Sequence, residues 1–166
     1  KDPGNQVCEY KTNVMINATP FTGWFQRDSL TSGGTPVGCS DDGTLPIIGA
    51  AKGDIHTIGK DILAMLLKLA GFEVHDVGED VAATTFLEEA RKRKADIIAI
   101  SALMTSTMPG QRDVVNLLKD VGERDKFAVM VGGAPTTQAW ADKIGADGYS
   151  ETAAGGVALA LKLMDR

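Results

Sequence analysis

The fold is decided by residues 45–71, which read LPIIGAAKGDIHTIGKDILAMLLKLAG. Leu45–Ala50 is a short apolar run and predicts a buried β-strand. Ile58–Ala70 has apolar residues at helical spacing, and Gly71 stands where glycine commonly follows a helix end. The stretch therefore predicts one strand followed by one helix, the repeating unit of α/β proteins.

The same alternation continues to the end of the chain. Further strands are predicted at Phe72–Val77, Ala95–Ser101, Lys126–Val131 and Ala146–Tyr149. Further helices are predicted at Ala83–Arg93, Pro109–Val121, Thr136–Ile144 and Thr152–Met164. Strands that alternate with helices predict a parallel sheet covered on both faces. We expect an α/β, flavodoxin-like (Rossmann-type) doubly wound fold with five parallel strands in the order 2-1-3-4-5.

Residues 1–44 lack this pattern and are interrupted by Pro3, Pro20 and Pro36. We predict an irregular N-terminal arm here, with one short extended piece near Asn13–Ala18, and one compact domain over residues 45–166. The arm carries the aromatic residues Phe21, Trp24 and Phe25. This apolar bulk predicts packing against the domain, a ligand or a second copy of the chain.

Composition excludes several classes of function. The 166 residues include 17 Lys and Arg against 22 Asp and Glu, a net charge of −5, which argues against a nucleic-acid-binding surface. The apolar runs are shorter than the ~18 residues of a membrane span. Cys8 and Cys39 form no CxxC pair, and whether they are linked is left open. Because no secretory signal pattern is visible, we expect a cytoplasmic location.

Sheets of this kind bind ligands beyond the carboxyl ends of the strands, between the first and third strands. The loop 51–57 lies at this position and places Asp54 two residues before His56. A carboxylate there can bind one ring nitrogen of the histidine and leave the other free as a base or a metal ligand. Gly59 begins the next helix without a side chain, so a ligand can approach the backbone closely.

The two neighbouring strand ends are small or hydroxylic. The loop after the third strand, within 101–108, offers four hydroxyls and no charge, and Gly132-Gly133 follows the fourth strand. Together these loops predict a long slot beside the sheet.

Three motifs occur in order on these three strand ends: Asp54-x-His56-x-x-Gly59, Ser101-x-Leu103 and Gly132-Gly133. With them the chain resembles cobalamin-binding domains from about Pro46 to Met164. It is most similar to the corrinoid methyl-carrier proteins of bacterial and archaeal methyltransferase systems, and next to the cobalamin module of methionine synthase.

The resemblance implies a role for each matching residue. His56 would be the lower ligand of cobalt in place of the cofactor's own base (base-off, His-on), and Asp54 would bind that histidine. These two would be the catalytic residues, and Ser101 and Thr105 would lie beside the displaced nucleotide tail. The cofactor-binding set implied is Gly53, Asp54, Ile55, His56, Thr57, Gly59, Ser101, Leu103, Thr105, Gly132, Gly133 and Ala153.

The function implied is that of a corrinoid protein that carries a methyl group on cobalamin (methylcobalamin, Co(I)–Co(III)) between partner methyltransferases. A reductive activase is a further candidate partner, and a homodimer through the arm is an open alternative. The domain would not be catalytic alone, so its status as an enzyme stays open. Other functions left open are a cobalamin sensor or storage module, the B12 domain of a carbon-skeleton mutase, and a domain that binds flavin mononucleotide.

Two features depart from the family pattern. Thr57 stands where many methyl carriers have an aspartate, which puts that part of a proton relay in doubt. The carriers usually have an N-terminal helical bundle over the upper face of the corrin, whereas residues 1–44 show no bundle pattern. Phe21, Trp24 and Phe25 are candidates for covering that face, although simple packing explains them as well.

Overall fold

The computed structural model describes residues 44–164 in full and, before them, only the secondary structure of short segments. Val7–Ile16 pairs antiparallel with Thr19–Gln26, and Thr31–Ser32 with Thr35–Pro36. The arm thus holds more extended structure than the single piece predicted near Asn13–Ala18, since its β-branched and aromatic residues favour strands. The predicted packing of the arm aromatics and the pairing of its two cysteines lie outside the described residues.

Five parallel strands form the central sheet of the domain. They are β1 (Pro46–Ala51), β2 (His75–Val81), β3 (Ile97–Ser101), β4 (Ala128–Gly132) and β5 (Gly148–Ser150). Their spatial order is β2-β1-β3-β4-β5, which confirms the predicted 2-1-3-4-5 topology. The order reverses between β1 and β3, so the expected ligand edge lies where these two strands end.

Five helices cover the sheet. They are α1 (Ile58–Leu69), α2 (Ala83–Arg93), α3 (Met108–Asp120), α4 (Gln138–Ile144) and α5 (Ala153–Met164). Successive residues of a buried strand face opposite sides. Ile47 and Ile98 therefore join the core under α2, α3 and α4, whereas Ile48 and Ile97 join the core under α1 and α5. Both faces of the sheet are buried under helices, which explains why the central strands are unbroken apolar runs in the sequence.

Within residues 44–164, the second strand is the one element whose predicted position was wrong by more than two residues. Phe72–Val77 was predicted, but β2 begins at His75 and ends at Val81. Phe72 is buried in the core beneath α1 rather than in the sheet. Because β2 pairs with β1 alone, it is an edge strand, and polar residues such as Asp76 and Asp80 are tolerated there.

The loops after β3 and β4 touch backbone to backbone. Gly133 has a φ of +120°, and a Cβ at this position would lie 1.8 Å from the Ala102 carbonyl oxygen. Only glycine fits such a contact, so the two loops form one continuous wall at the carboxyl edge. Within residues 44–164, the helices are too short or too polar to span a membrane.

Candidate functional site

The Asp54 carboxylate is the centre of the site and is buried, with its side chain 1% exposed. Its Oδ1 accepts the His56 backbone N–H at 3.0 Å and lies 2.8 Å from the His56 Nδ1. Its Oδ2 accepts the Leu103 backbone N–H at 2.6 Å and the Thr107 hydroxyl at 2.6 Å. Four donors from two loops therefore hold one carboxylate in a fixed position.

This environment keeps Asp54 ionised. Burial alone raises the pKa of the carboxyl group, but the hydrogen bonds from Thr107, from the His56 and Leu103 amides and from the His56 ring outweigh burial. Together they hold the pKa of Asp54 well below the usual range of an aspartic acid. An ionised carboxylate can only accept hydrogen bonds, so the neighbouring His56 Nδ1 carries the proton. In the neutral form of the ring, the lone pair is then on Nε2.

His56 is positioned at the mouth of the site. Its side chain is 44% exposed, in contrast to the buried carboxylate behind it. Two large apolar side chains that line the groove together with it are exposed, Ile55 at 67% and Leu103 at 42%. Such a rim of large exposed side chains suits a broad apolar ligand surface above the imidazole.

A groove of about 680 Å³ runs from His56 along the sheet between α1 and α5. The predicted residues that line it are Ile55, His56, Thr57, Gly59, Ser101, Leu103, Gly132, Gly133 and Ala153. Asp54 lies buried behind the histidine rather than in the groove wall. Gly53 and Thr105 are exposed and do not line this groove.

Two of the groove glycines are explained differently. Gly132 is constrained by the protein, because a Cβ there would lie 3.2 Å from the Ser150 carbonyl oxygen. Gly59 is not, since a Cβ there would meet no atom within 4 Å. Nothing in the described protein requires a glycine at position 59, so the free space is available to a ligand in the groove.

Sequence reasoning missed Thr107. It singled out Thr105, but Thr107 is the buried hydroxyl that donates to Asp54. Both threonines belong to the same hydroxyl-rich loop, and the available signal was weak: Thr107 directly precedes α3, whose second residue is Pro109. The first turn of a helix can bring such a residue back against the preceding loop.

Gln111 was also missed, and its side chain binds the carboxyl ends of β3 and β4. Its buried Nε2 donates to the carbonyl oxygens of Ile100 and Gly132, each at 3.0 Å. Its Oε1 accepts the Trp140 indole N–H at 2.9 Å. One amide therefore ties α3 to the carboxyl ends of β3 and β4, where the groove begins.

Comparison with known proteins adds the family. The B12 binding domain family matches residues 44–158. The chain is 58% identical over 116 residues to dimethylamine corrinoid protein 3 of Methanosarcina mazei, covering 70% of this chain and 70% of that protein. It spans 54% of the length of several other dimethylamine corrinoid proteins of Methanosarcina that it matches.

Solved structures agree with this similarity. The monomethylamine corrinoid protein of Methanosarcina barkeri matches with a TM-score of 0.70 and 39% identity, over 74% of this chain and 58% of that one. A chain of the methanol:cobalamin methyltransferase complex of Methanosarcina barkeri matches with a TM-score of 0.69 and 33% identity, over 81% of this chain and 50% of that one. These similarities agree with the family resemblance that the three motifs predicted.

Proposed function

The chain belongs to the B12-binding domain family, and on that premise we propose that it binds cobalamin through His56 and carries a methyl group between partner methyltransferases. The observation that carries the proposal is the pairing of a buried, ionised Asp54 with a half-exposed His56. In the neutral form of the ring, the pairing leaves the lone pair on Nε2 beside the groove. Neutral imidazole is a common ligand of metal ions, and its other nitrogen usually donates to a carboxylate, as it does here.

The residues present fit the cofactor. The exposed apolar side chains of Ile55 and Leu103 suit the broad face of a corrin ring, and the groove beside the sheet suits a nucleotide tail. Gly59 supports the second assignment, because the space next to it is not needed by the protein itself. We propose that the tail lies between α1 and α5, with Ser101 and Ala153 among its neighbours.

The chain's own part in the reaction is to hold a ligand and a proton. A bound corrinoid supplies the cobalt that accepts and gives up the methyl group. Asp54 keeps the proton on Nδ1 of His56 and orients the ring, and Thr107 holds Asp54 in place. Loss of a partner of this kind behind a metal ligand typically costs ~10–100-fold in metal affinity or activity.

Methylated amines are the donor class that the relatives support. The curated relatives that match at 50–59% identity are named as dimethylamine and trimethylamine corrinoid proteins. Their names favour a methyl carrier over a mutase domain or a flavin-binding domain. The match to a chain of a methyltransferase complex supports a methyltransferase as the partner.

The first experiment tests the lower ligand. Reconstitution with cobalamin is expected to give the visible absorption spectrum of the base-off, His-on form. His56→Ala is expected to give a base-off spectrum without a protein nitrogen or to lose the cofactor, whereas His75→Ala is the matched control. His75 lies on the edge strand beside Glu89 and outside the groove. An unchanged spectrum in His56→Ala would remove this histidine from its proposed role.

A second experiment separates a carrier from a sensor or storage module. The reduced holoprotein is incubated with a methylamine methyltransferase and its methylated amine, and the methylated corrinoid is followed by absorbance. A carrier becomes methylated only when the partner enzyme is present, and then loses the methyl group to a second partner. A sensor or storage module binds cobalamin but shows neither change.

Four further points belong to the same proposal. We propose a domain boundary at residues 44/45, where the family match begins. A reductive activase is proposed as an additional partner, and a homodimer through the arm as an assembly that sedimentation of the full chain tests. A cytoplasmic location is proposed from the sequence pattern, and fractionation of cells tests it.

A further inference from the structure

Asp80 lies at the end of the edge strand β2, next to the loop that carries Asp54 and His56. Its Oδ1 accepts the Gly53 backbone N–H at 2.7 Å, and its Oδ2 accepts the Lys52 ammonium at 3.0 Å. Its own backbone N–H donates to the Asp54 carbonyl oxygen at 2.8 Å. One residue of β2 therefore holds the backbone on both sides of the Asp54 Cα.

The backbone of Asp80 is unusual for a residue with a side chain. Its φ is +52°, in the left-handed region that favours glycine, and aspartate and asparagine are among the side chains best tolerated there. Within residues 44–164, Lys94 is the other non-glycine residue with a positive φ, and it ends helix α2, where this conformation is common. At Asp80 no helix end explains the conformation, but the carboxylate has a defined use there.

We propose that Asp80 is a positioning residue for the metal ligand His56, acting through the loop rather than by contact with the cofactor. The inference rests on the proposed function of His56, and it adds a residue from a strand that the groove does not include. Asp54 is tied on its other side to the loop between β3 and α3, through Leu103 and Thr107. The loop is therefore fixed between the two strands that flank β1.

The negative charge of Asp80 strengthens the hydrogen bond that holds the loop. The Gly53 amide, and after it the Lys52 ammonium, holds the pKa of Asp80 below its usual range, so the carboxylate is an ionised acceptor near neutral pH. A hydrogen bond to an ionised acceptor is about twice as strong as a neutral one. Without the carboxylate, Gly53, whose own φ is +83°, has no other acceptor holding its N–H in the described structure.

The variants are chosen to separate an effect on the position of the loop from a general loss of stability. Asp80→Gly removes the carboxylate and leaves a residue that adopts a positive φ without strain. Asp80→Asn keeps an acceptor oxygen and tolerates the same backbone. Lys94→Gly is the matched control for replacing a strained residue with glycine, and Lys52→Met removes only the exposed ion pair.

The first measurement uses the protein without cofactor. In Asp80→Gly we expect amide exchange at Gly53 to be ~10-fold faster, because a charge-assisted hydrogen bond is lost. We also expect nitrogen-15 NMR of the His56 ring to show partial loss of the Nδ1-protonated form. Lys52→Met and Lys94→Gly are expected to stay within about 2-fold of the wild type in exchange, and Asp80→Asn, which keeps a neutral acceptor, is expected to lie between the wild type and Asp80→Gly.

The second measurement uses the holoprotein. The equilibrium between histidine-bound and histidine-free cobalt, followed by absorbance and by the nitrogen splitting in the Co(II) EPR spectrum, is expected to shift ~10-fold toward the free form in Asp80→Gly. Rescue by Asp80→Asn supports positioning by the acceptor oxygen. A His56 ring signal and a ligation equilibrium both within 2-fold of the wild type in Asp80→Gly would overturn the inference. If wild-type protein takes up no cobalamin, the proposed function fails, and the cofactor-free ring signal still decides the role of Asp80.

Discussion

Replacing Thr107 by valine tests the support of the site most directly. The change removes one hydroxyl and leaves the shape of the side chain nearly the same. In the structure this hydroxyl donates to Asp54 Oδ2 at 2.6 Å, and the Leu103 amide is then the remaining donor to that oxygen. A hydrogen bond to a charged group contributes about 1.5–3 kcal/mol. We therefore expect the free energy of unfolding at pH 7 to fall by about 1.5–3 kcal/mol.

The loss of stability in Thr107→Val is expected to depend on pH in a definite direction. The Thr107 hydroxyl lowers the pKa of Asp54, so its removal moves that pKa back toward the ordinary value. A carboxylate with a depressed folded pKa stabilises the fold above its unfolded pKa, about 3.9, and the stabilisation is lost as pH falls through the folded pKa. The unfolded pKa is the same in both proteins, so the difference between wild type and variant is complete at neutral pH and shrinks only as pH falls through the variant's folded pKa, below about 3.9.

Urea denaturation at neutral pH and at a series of lower pH values measures this difference. Thr105→Val is the matched control, because Thr105 is an exposed threonine of the same loop, and its replacement should stay within ~0.5 kcal/mol. An equal loss in both variants, or a Thr107→Val loss that grows as pH falls, would refute the assigned hydrogen bond. In the holoprotein, Thr107→Val should also weaken histidine ligation by ~10-fold.

Two more substitutions test the walls of the site. Gly133→Ala should destabilise the fold by at least ~3 kcal/mol in urea denaturation, because its Cβ would lie 1.8 Å from the Ala102 carbonyl oxygen. Gly53→Ala should cost only ~1–2 kcal/mol, since its φ is +83° but its Cβ would meet no atom closer than 3.6 Å. Ala153→Phe should fill the groove and weaken cobalamin retention on gel filtration at least ~10-fold, whereas Ala154→Phe, outside the groove, should retain it. Equal retention in the two variants would contradict the proposed path of the nucleotide tail.

Most of the fold could be predicted because it depends on local pattern. Apolar runs such as Ile97–Ser101 are strands, amphipathic stretches such as Ile58–Leu69 are helices, and their alternation leaves few topologies open. β2 was placed too early because a buried apolar residue, like those of a strand, lies shortly before it. Phe72 is as buried as a strand residue, although it packs under α1. An edge strand with solvent on one side lacks the apolar run that marks the central strands.

The site was predictable where its contacts are short-range in sequence. Asp54 and His56 are two residues apart, so their hydrogen bond could be expected from the motif alone. Thr107 is 53 residues from Asp54, and Asp80 is 27 from Gly53. Those contacts depend on how the loops after β1 and β3 meet at the sheet edge, and spacing in the sequence carries no such information.

The distribution of donors on Asp54 bears on how the proposed ligand works. Of the four hydrogen bonds to the carboxylate, those from the His56 amide, Leu103 and Thr107 do not involve the imidazole. If the ring turns toward or away from the groove, these three remain, so the anion keeps its position and its charge. The ring itself is 44% exposed, and moving it breaks one hydrogen bond, at a cost of about 1.5–3 kcal/mol. A fixed anion behind a ligand that moves at this cost supports the proposed methyl carrier, in which ligation by His56 would be reversible. Storage needs only that the ligand stay bound.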